Sequence, residues 1–413
     1  MNILMISPPS PPKNTPESMQ VGRYLEELDK EHHITLVNTP ADGGWSVEDS
    51  SLEVPLKNTH IVTIRLWFHK FTIRLLHSRL FKHFLIPDQT AWIRYMTSYV
   101  LKKSTIKPDI IYSRSVPFSA ALLAKSLKEK LQIPWVMHLS DPWFDSPYRQ
   151  KTKDENKLAN YELSCFENAD TIMVTTKSVA EFYREKYPKC AHKILVSSNV
   201  LPLTIKEKNN LNKEKHGKLT LIYAGTMYGK RRATTILKGL SWLKENDEKS
   251  LRSIHIILIG NMTEEIKDEI NSYDFEQIIL MGKMNYDDVV KMQGTADILI
   301  SIEPDGDNPL LKTFMPSKVL DYMASKKPIL AVTPKNSETW KLCDKGYGWR
   351  IEPHDDSGLG KLLVELSKKY MRNESLLPVL EPLEEYTVSY NVEKLIKNMK
   401  ILISENKKKL KEL

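Results

Sequence analysis

The chain has 413 residues, 41% hydrophobic and 27% charged, which excludes fibrous and wholly disordered classes and leaves room for two globular domains. No apolar run nears the roughly 20 residues that span a bilayer, and the opening Met-Asn-Ile-Leu-Met-Ile-Ser is too short and lacks the basic flank for a secretion signal. The formal charge of +8 is clustered rather than spread.

In chain order, Ile3–Ile6 reads as a first strand, Gln20–Leu28 as a helix and His33–Asn38 as a strand. Between Glu53 and Asp88 there is no acidic residue, while Arg65, Lys70, Arg74, Arg79 and Lys82 stand among Leu66, Trp67, Phe68, Phe71 and Phe84. That mixture over residues 65–85 suits a segment lying on an anionic membrane surface. Surface helices packed on the core are the plainer reading, and nucleic acid is not expected as a partner. A helix around Trp92–Lys102 follows, then strand Ile110–Tyr112, helix Ser119–Leu131, strand Trp135–Leu139, helix Asn156–Asn168, strand Thr171–Thr175, helix Ser178–Tyr187 and strand Ile194–Ser197. Strands alternating with helices imply a parallel, doubly wound sheet.

The polar, charged run 204–218 predicts a linker between a first domain, 1–203, and a second, 219–385. In the second, strand Leu219–Tyr223, helix Thr234–Glu245, strand Ser253–Ile259, helix Glu264–Ser272, strand Gln277–Met281 and helix Asp287–Gln293 repeat the alternation. Strand Ile298–Ile302 then leads to a helix opened by Pro316 and Ser317, strand Pro328–Val332, a helix near Trp340, the segment Gly346–Ile351 and helix Ser357–Tyr370. A lysine-rich helix, Tyr390–Lys409, closes the chain. The three scattered cysteines, Cys165, Cys190 and Cys343, show no disulfide or metal spacing and predict a reducing cytosol.

Several loops have the residue types of an anion site. The helix opened by Pro316 presents the unpaired amides of residues 317 to 320 beside the Lys318 side chain, which suits a pyrophosphate. Asp321 lies one turn on, where a carboxylate can take ribose hydroxyls. Gly225 and Gly260 each follow a strand and allow close backbone approach, and Lys230, Arg231 and Arg232 follow the first of them, where arginine could grip phosphate with paired hydrogen bonds. Asp305 and Asp307 resemble a metal-binding pair, although a polar turn is the simpler reading. In the first half, His138 and Ser140 alternate onto one strand face, just before Asp141.

The segment Pro316-Ser317-Lys318-Val319-Leu320-Asp321-Tyr322-Met323-Ala324 resembles the donor-binding signature of the family 4 retaining glycosyltransferases. That resemblance implies a GT-B fold, with two Rossmann-like doubly wound domains facing a cleft and the last helix, 386–413, crossing back to the first domain. It implies transfer of a sugar from a nucleotide diphosphate sugar to a glycan or lipid-linked hydroxyl in envelope polysaccharide synthesis. Donor contacts are expected from Gly225, Arg231, Arg232, Gly260, Ser317, Lys318, Val319, Leu320 and Asp321, with no metal and no cofactor beyond the donor. His138, Asp141 and Asp321 are the expected catalytic group. The Asp141-Pro142-Trp143 run matches a family segment in which His138 and Asp141 would border the acceptor hydroxyl. The family's two-glutamate signature falls here at Thr313 and Asp321, so Glu303 is a stand-in for the first glutamate. A cytoplasmic protein, peripheral on the inner face of the membrane, is the implied setting. An epimerase of the same fold and a non-catalytic nucleotide-sugar-binding protein are the alternatives.

Overall fold

The computed structural model describes residues 1–41, 47–65, 87–88, 90–149, 151, 154–202 and 217–412. The linker lies outside them apart from Gly217 and Lys218, and so does the basic amphipathic segment apart from the exposed Arg65. The chain divides into two compact units, one of residues 1–200 with 384–413 and one of residues 201–383.

The first unit is built on a seven-stranded sheet: β1 (Asn2–Ile6), β2 (His33–Asn38), β3 (Thr59–Thr63), β4 (Ile110–Ser115), β5 (Trp135–Leu139), β6 (Thr171–Val174) and β7 (Ile194–Val196). The strand order is β3-β2-β1-β4-β5-β6-β7, and every pairing is parallel. The central strands are buried along almost their whole length, as a sheet covered on both faces requires. That explains why they read as unbroken apolar runs. Strand β3 was not expected from sequence. It lies at the sheet edge with Ile61 47% exposed, so it carries no buried run to announce it. The terminal helix Val388–Glu412 packs on the helix Pro16–Leu28, and its Lys394 Nζ donates to the Val196 carbonyl at 2.5 Å.

The second unit carries β8 (Leu219–Ala224), β9 (Ile254–Ile259), β10 (Ile278–Met281), β11 (Ile298–Ile302), β12 (Ile329–Val332) and β13 (Gly348–Ile351). They form a parallel sheet in the order β10-β9-β8-β11-β12-β13. Both sheets are thus Rossmann-like, with helices connecting successive parallel strands. In each sheet the chain runs outward on one side, then returns to the middle and builds the other side. The reversal falls between β1 and β4 in the first unit and between β8 and β11 in the second. Crevices at the carboxyl ends of such strand pairs are where open α/β sheets bind ligands.

Candidate functional site

In the second unit the reversal point gathers most of the residues expected at the donor. The helix Ser317–Ala324 begins after Pro316, which contributes no side-chain cap. The Val319 amide is taken by the Pro316 carbonyl at 2.9 Å. The amides of Ser317 and Lys318 precede any intrahelical acceptor, as at every helix start. Val319 and Leu320 are wholly buried, so their side chains anchor the helix and only their backbone could face a ligand. Tyr322 completes the anchor: its hydroxyl accepts from the Ala224 amide at 3.1 Å, fixing the helix against the end of β8.

Lys318 is thereby folded back onto β8. Its Nζ lies 3.8 Å from the centroid of the Tyr223 ring, and a Cβ built on Gly225 would lie 3.1 Å from that nitrogen. Nζ is buried and has no hydrogen-bond partner among the described residues. Burial, reinforced by the positive charge of Arg231, holds the Lys318 amine well below the usual lysine range, with Glu303 pulling the other way. Glu303 immediately follows β11, is 5% exposed, and accepts from Thr333 Oγ1 at 2.7 Å. Burial raises its carboxyl, against the Thr339 and Thr333 hydroxyls and the Arg231 and Lys318 charges. Arg231, Lys318 and Glu303 therefore form one electrostatic cluster at the β8/β11 reversal.

Arg232 does not join that cluster. Its guanidinium pairs with Glu269 at 2.7 Å and Glu265 at 2.8 Å, which ties the loop to the helix Glu264–Ser272. Of the three basic residues after Gly225, the structure thus separates Arg231, at the cluster, from Arg232, spent on carboxylates. Lys230 Nζ lies 3.1 Å from where a Gly306 Cβ would stand, beside the Asp305–Asp307 turn. Asp305 closes that turn by accepting from the Gly306 amide at 2.8 Å. Among the described residues no group of three His, Cys, Asp or Glu is placed to hold a metal.

Gly225 and Gly260 meet. The Gly225 amide donates to the Ile259 carbonyl at 2.9 Å, and a Cβ on Gly260 would stand 2.3 Å from the Gly225 carbonyl oxygen. With φ of +129°, Gly260 is excluded from bearing a side chain on both counts. Asp321, half-buried in the helix, accepts from the Tyr286 hydroxyl at 3.4 Å.

The first unit's reversal point carries a second polar cluster, and it corrects the role expected of His138. That histidine is wholly buried. Its Nε2 faces the Ser197 carbonyl at 3.1 Å and must carry the proton, because a carbonyl only accepts. Its Nδ1 then accepts from the Tyr112 hydroxyl at 2.9 Å. Burial, with Arg114 adding to it, drives the ring well below the usual histidine range. Neutral, enclosed and bonded at both nitrogens, His138 is a core residue and has no nitrogen left for an acceptor hydroxyl.

Arg114, wholly buried in β4, is the centre of this cluster. Its Nε donates to Glu17 Oε1 at 2.8 Å, and its guanidinium lies over the Tyr24 ring at 4.7 Å. The other Glu17 oxygen accepts from the Ser140 hydroxyl. Neither Arg114 nor Glu17 was singled out from sequence. The available signal was an arginine inside the strand Ile110–Ser115. Asp141, next to Ser140, is half-buried, and among the described residues it has no ion pair or side-chain hydrogen bond. Burial and the neighbouring Glu17 raise its carboxyl to about 7.

No protein-family model matches the chain. A relative in Pseudomonas aeruginosa, "Probable glycosyltransferase WbjE", is 20% identical over 325 residues, covering 76% of this chain and 80% of the relative. Among solved structures, the sucrose-phosphate synthase of Thermosynechococcus elongatus superposes with a TM-score of 0.63 at 9% identity, over 98% of this chain and 100% of that one. A Listeria monocytogenes structure assigned as a UDP-N-acetylglucosamine 2-epimerase superposes with a TM-score of 0.61 at 12% identity, over 98% of this chain and 97% of the other. The chain has the GT-B fold, with two Rossmann-like parallel-sheet domains, and is glycosyltransferase-like in its sequence.

Proposed function

We propose that the protein transfers a sugar, with retention, from a nucleotide diphosphate sugar to a hydroxyl of a glycan or lipid-linked acceptor. The observation that carries the reading is the Lys318 amine position: a buried nitrogen without a hydrogen-bond partner among the described residues, at a helix start with no side-chain cap, beside Arg231 at the β8/β11 reversal. A protein does not keep such donors unused without cause. As the sugar–oxygen bond breaks, the diphosphate leaves with the bonding electrons, and cationic groups with fixed amides stabilise that charge. Asp321, steadied by Tyr286, is assigned to the ribose hydroxyls. With His138 enclosed, the acceptor side is assigned to Asp141, whose carboxyl has no ion pair or side-chain hydrogen bond among the described residues. Retention and a role in envelope polysaccharide synthesis rest on the resemblance of the Pro-Ser-Lys segment, and glycosyl transfer itself also on the similarity to WbjE.

No helix among the described residues is long and apolar enough to cross a membrane. Attachment to the inner face of a cell membrane through residues 65–85 is part of the proposal, motivated by their sequence alone. Flotation with vesicles that does not depend on anionic lipid would count against it.

A panel of nucleotide sugars, read by thermal shift and then by release of nucleoside diphosphate, tests the reading. Stabilisation by one donor, with release that requires an added acceptor, is expected. The similarity to the Listeria structure favours a second reading, an epimerase. Conversion of the donor with no acceptor present would establish that one instead. Binding without turnover under any acceptor would leave a non-catalytic binder.

A further inference from the structure

We propose that Lys318 is an uncharged amine in the ligand-free protein and takes up a proton when a nucleoside diphosphate binds, so that donor binding and proton uptake are one event. The inference rests on the donor reading above and goes beyond it, because a diphosphate could equally be met by a lysine already charged.

The argument begins with hydrogen-bond accounting. An ammonium brings three N–H donors and a full charge. Lys318 Nζ is enclosed, and among the described residues no acceptor reaches it. An unpaired buried charge is so unfavourable that the group sheds its proton instead. The neighbours are Tyr223 from β8, Arg231 from the loop after β8 and Glu303 from the end of β11. The nitrogen lies 3.8 Å from the Tyr223 ring centroid and beside Gly225, and neither is an ionic partner. Arg231 is permanently charged and disfavours a second cation beside it. Two groups favour one, the Tyr223 ring face and Glu303, one of whose oxygens accepts from Thr333, yet among the described residues neither gives the nitrogen a hydrogen-bond acceptor. Burial and Arg231 together depress the amine, which agrees with this arrangement.

A diphosphate reverses each term. It supplies acceptor oxygens for the N–H groups and negative charge that outweighs Arg231. The amine gains one proton from buffer, and no other bond changes. If the ligand-free amine titrates below the working pH and the bound one above it, affinity falls about tenfold per pH unit in that interval.

Titration calorimetry of the full chain with UDP tests this. The working pH is about 8, above the phosphate ionisation near 6, so the ligand itself neither gains nor loses protons. Two buffers of widely different ionisation enthalpy are used, neither of them phosphate. The expected result is uptake close to one proton per UDP bound. Lys318→Arg, charged throughout, should bind with no uptake, and Lys318→Gln should bind more weakly, also with none. Glu303→Gln should bind with the uptake intact. UDP binding with buffer-independent heat in the unaltered protein would overturn the inference and leave the donor reading standing. So would uptake that survives in Lys318→Arg, or that disappears in Glu303→Gln, which would place the proton on the carboxyl. Failure of every nucleoside diphosphate to bind would remove the donor reading and this inference together.

Discussion

The two sheet-reversal points of this molecule occupy the same place in the same kind of fold and keep opposite accounts. At the first, Arg114 meets Glu17, Glu17 meets Ser140, and His138 is bonded at both nitrogens. At the second, Lys318 has a ring face and, among the described residues, no acceptor, next to the Arg231 cation. A buried network that satisfies itself specifies a structure. One that does not is poised for something else to satisfy it. Position in the fold therefore identified two crevices, and hydrogen-bond accounting told them apart.

Four substitutions test that contrast. Arg114→Met should have the largest effect. It removes the charge partner of the half-buried Glu17 carboxylate, which keeps the Ser140 hydroxyl, and should destabilise the first unit by about 3–5 kcal/mol, seen as a lower urea midpoint. Little loss would mean that the cluster is not the satisfied network described. Lys318→Met should do the reverse. Stability should stay within about 1 kcal/mol, because no hydrogen bond is broken, while loss of charge-assisted contacts worth about 1.5–3 kcal/mol weakens UDP binding by about 10- to 100-fold. A variant that binds UDP normally would take that lysine out of the site.

His138→Phe should cost about 1–3 kcal/mol through the acceptor lost to the Tyr112 hydroxyl and the donor lost to the Ser197 carbonyl, with the turnover of folded enzyme unchanged. A large fall in turnover at intact fold would restore a chemical role. Asp141→Asn is read as a slope against pH rather than as a shift at one pH. The folded carboxyl titrates at about 7 and the unfolded one near 3.9, so between those values the folded state holds more protons. Stability should then decline as pH rises from about 4 to about 7 and level off above. Asp141→Asn should flatten that decline in unfolding measured across the interval, and an unchanged slope would assign it to other groups.

The parts legible in sequence were those with local signals. Buried parallel strands are continuous apolar runs, and the Pro316–Ala324 segment carries its helix start, its lysine and its core-facing residues within nine positions. Asp141 and its neighbours were legible as a strand running into a loop. What stayed hidden depends on distant pairings. Arg114 and Glu17 stand 97 positions apart, and nothing local marks either as the other's partner. His138 showed the residue type of a proton carrier, but its enclosure depends on Ser197, 59 positions away. Arg231 and Arg232 are adjacent in sequence, and only the glutamates of a separate helix distinguish them. Short apolar edge strands such as β3 were lost for the opposite reason, since half of their surface is never covered.

The helix Val388–Glu412 belongs to the unit begun at residue 1, while residues 201–383 make up the other. During synthesis the amino-terminal sheet is finished long before its last covering piece exists. The ribosome must first deliver the whole intervening lobe, and until then the outer side of helix Pro16–Leu28 stays bare. A nascent chain halted near residue 380 would expose that side to chaperones and proteases, whereas a released full-length chain would not.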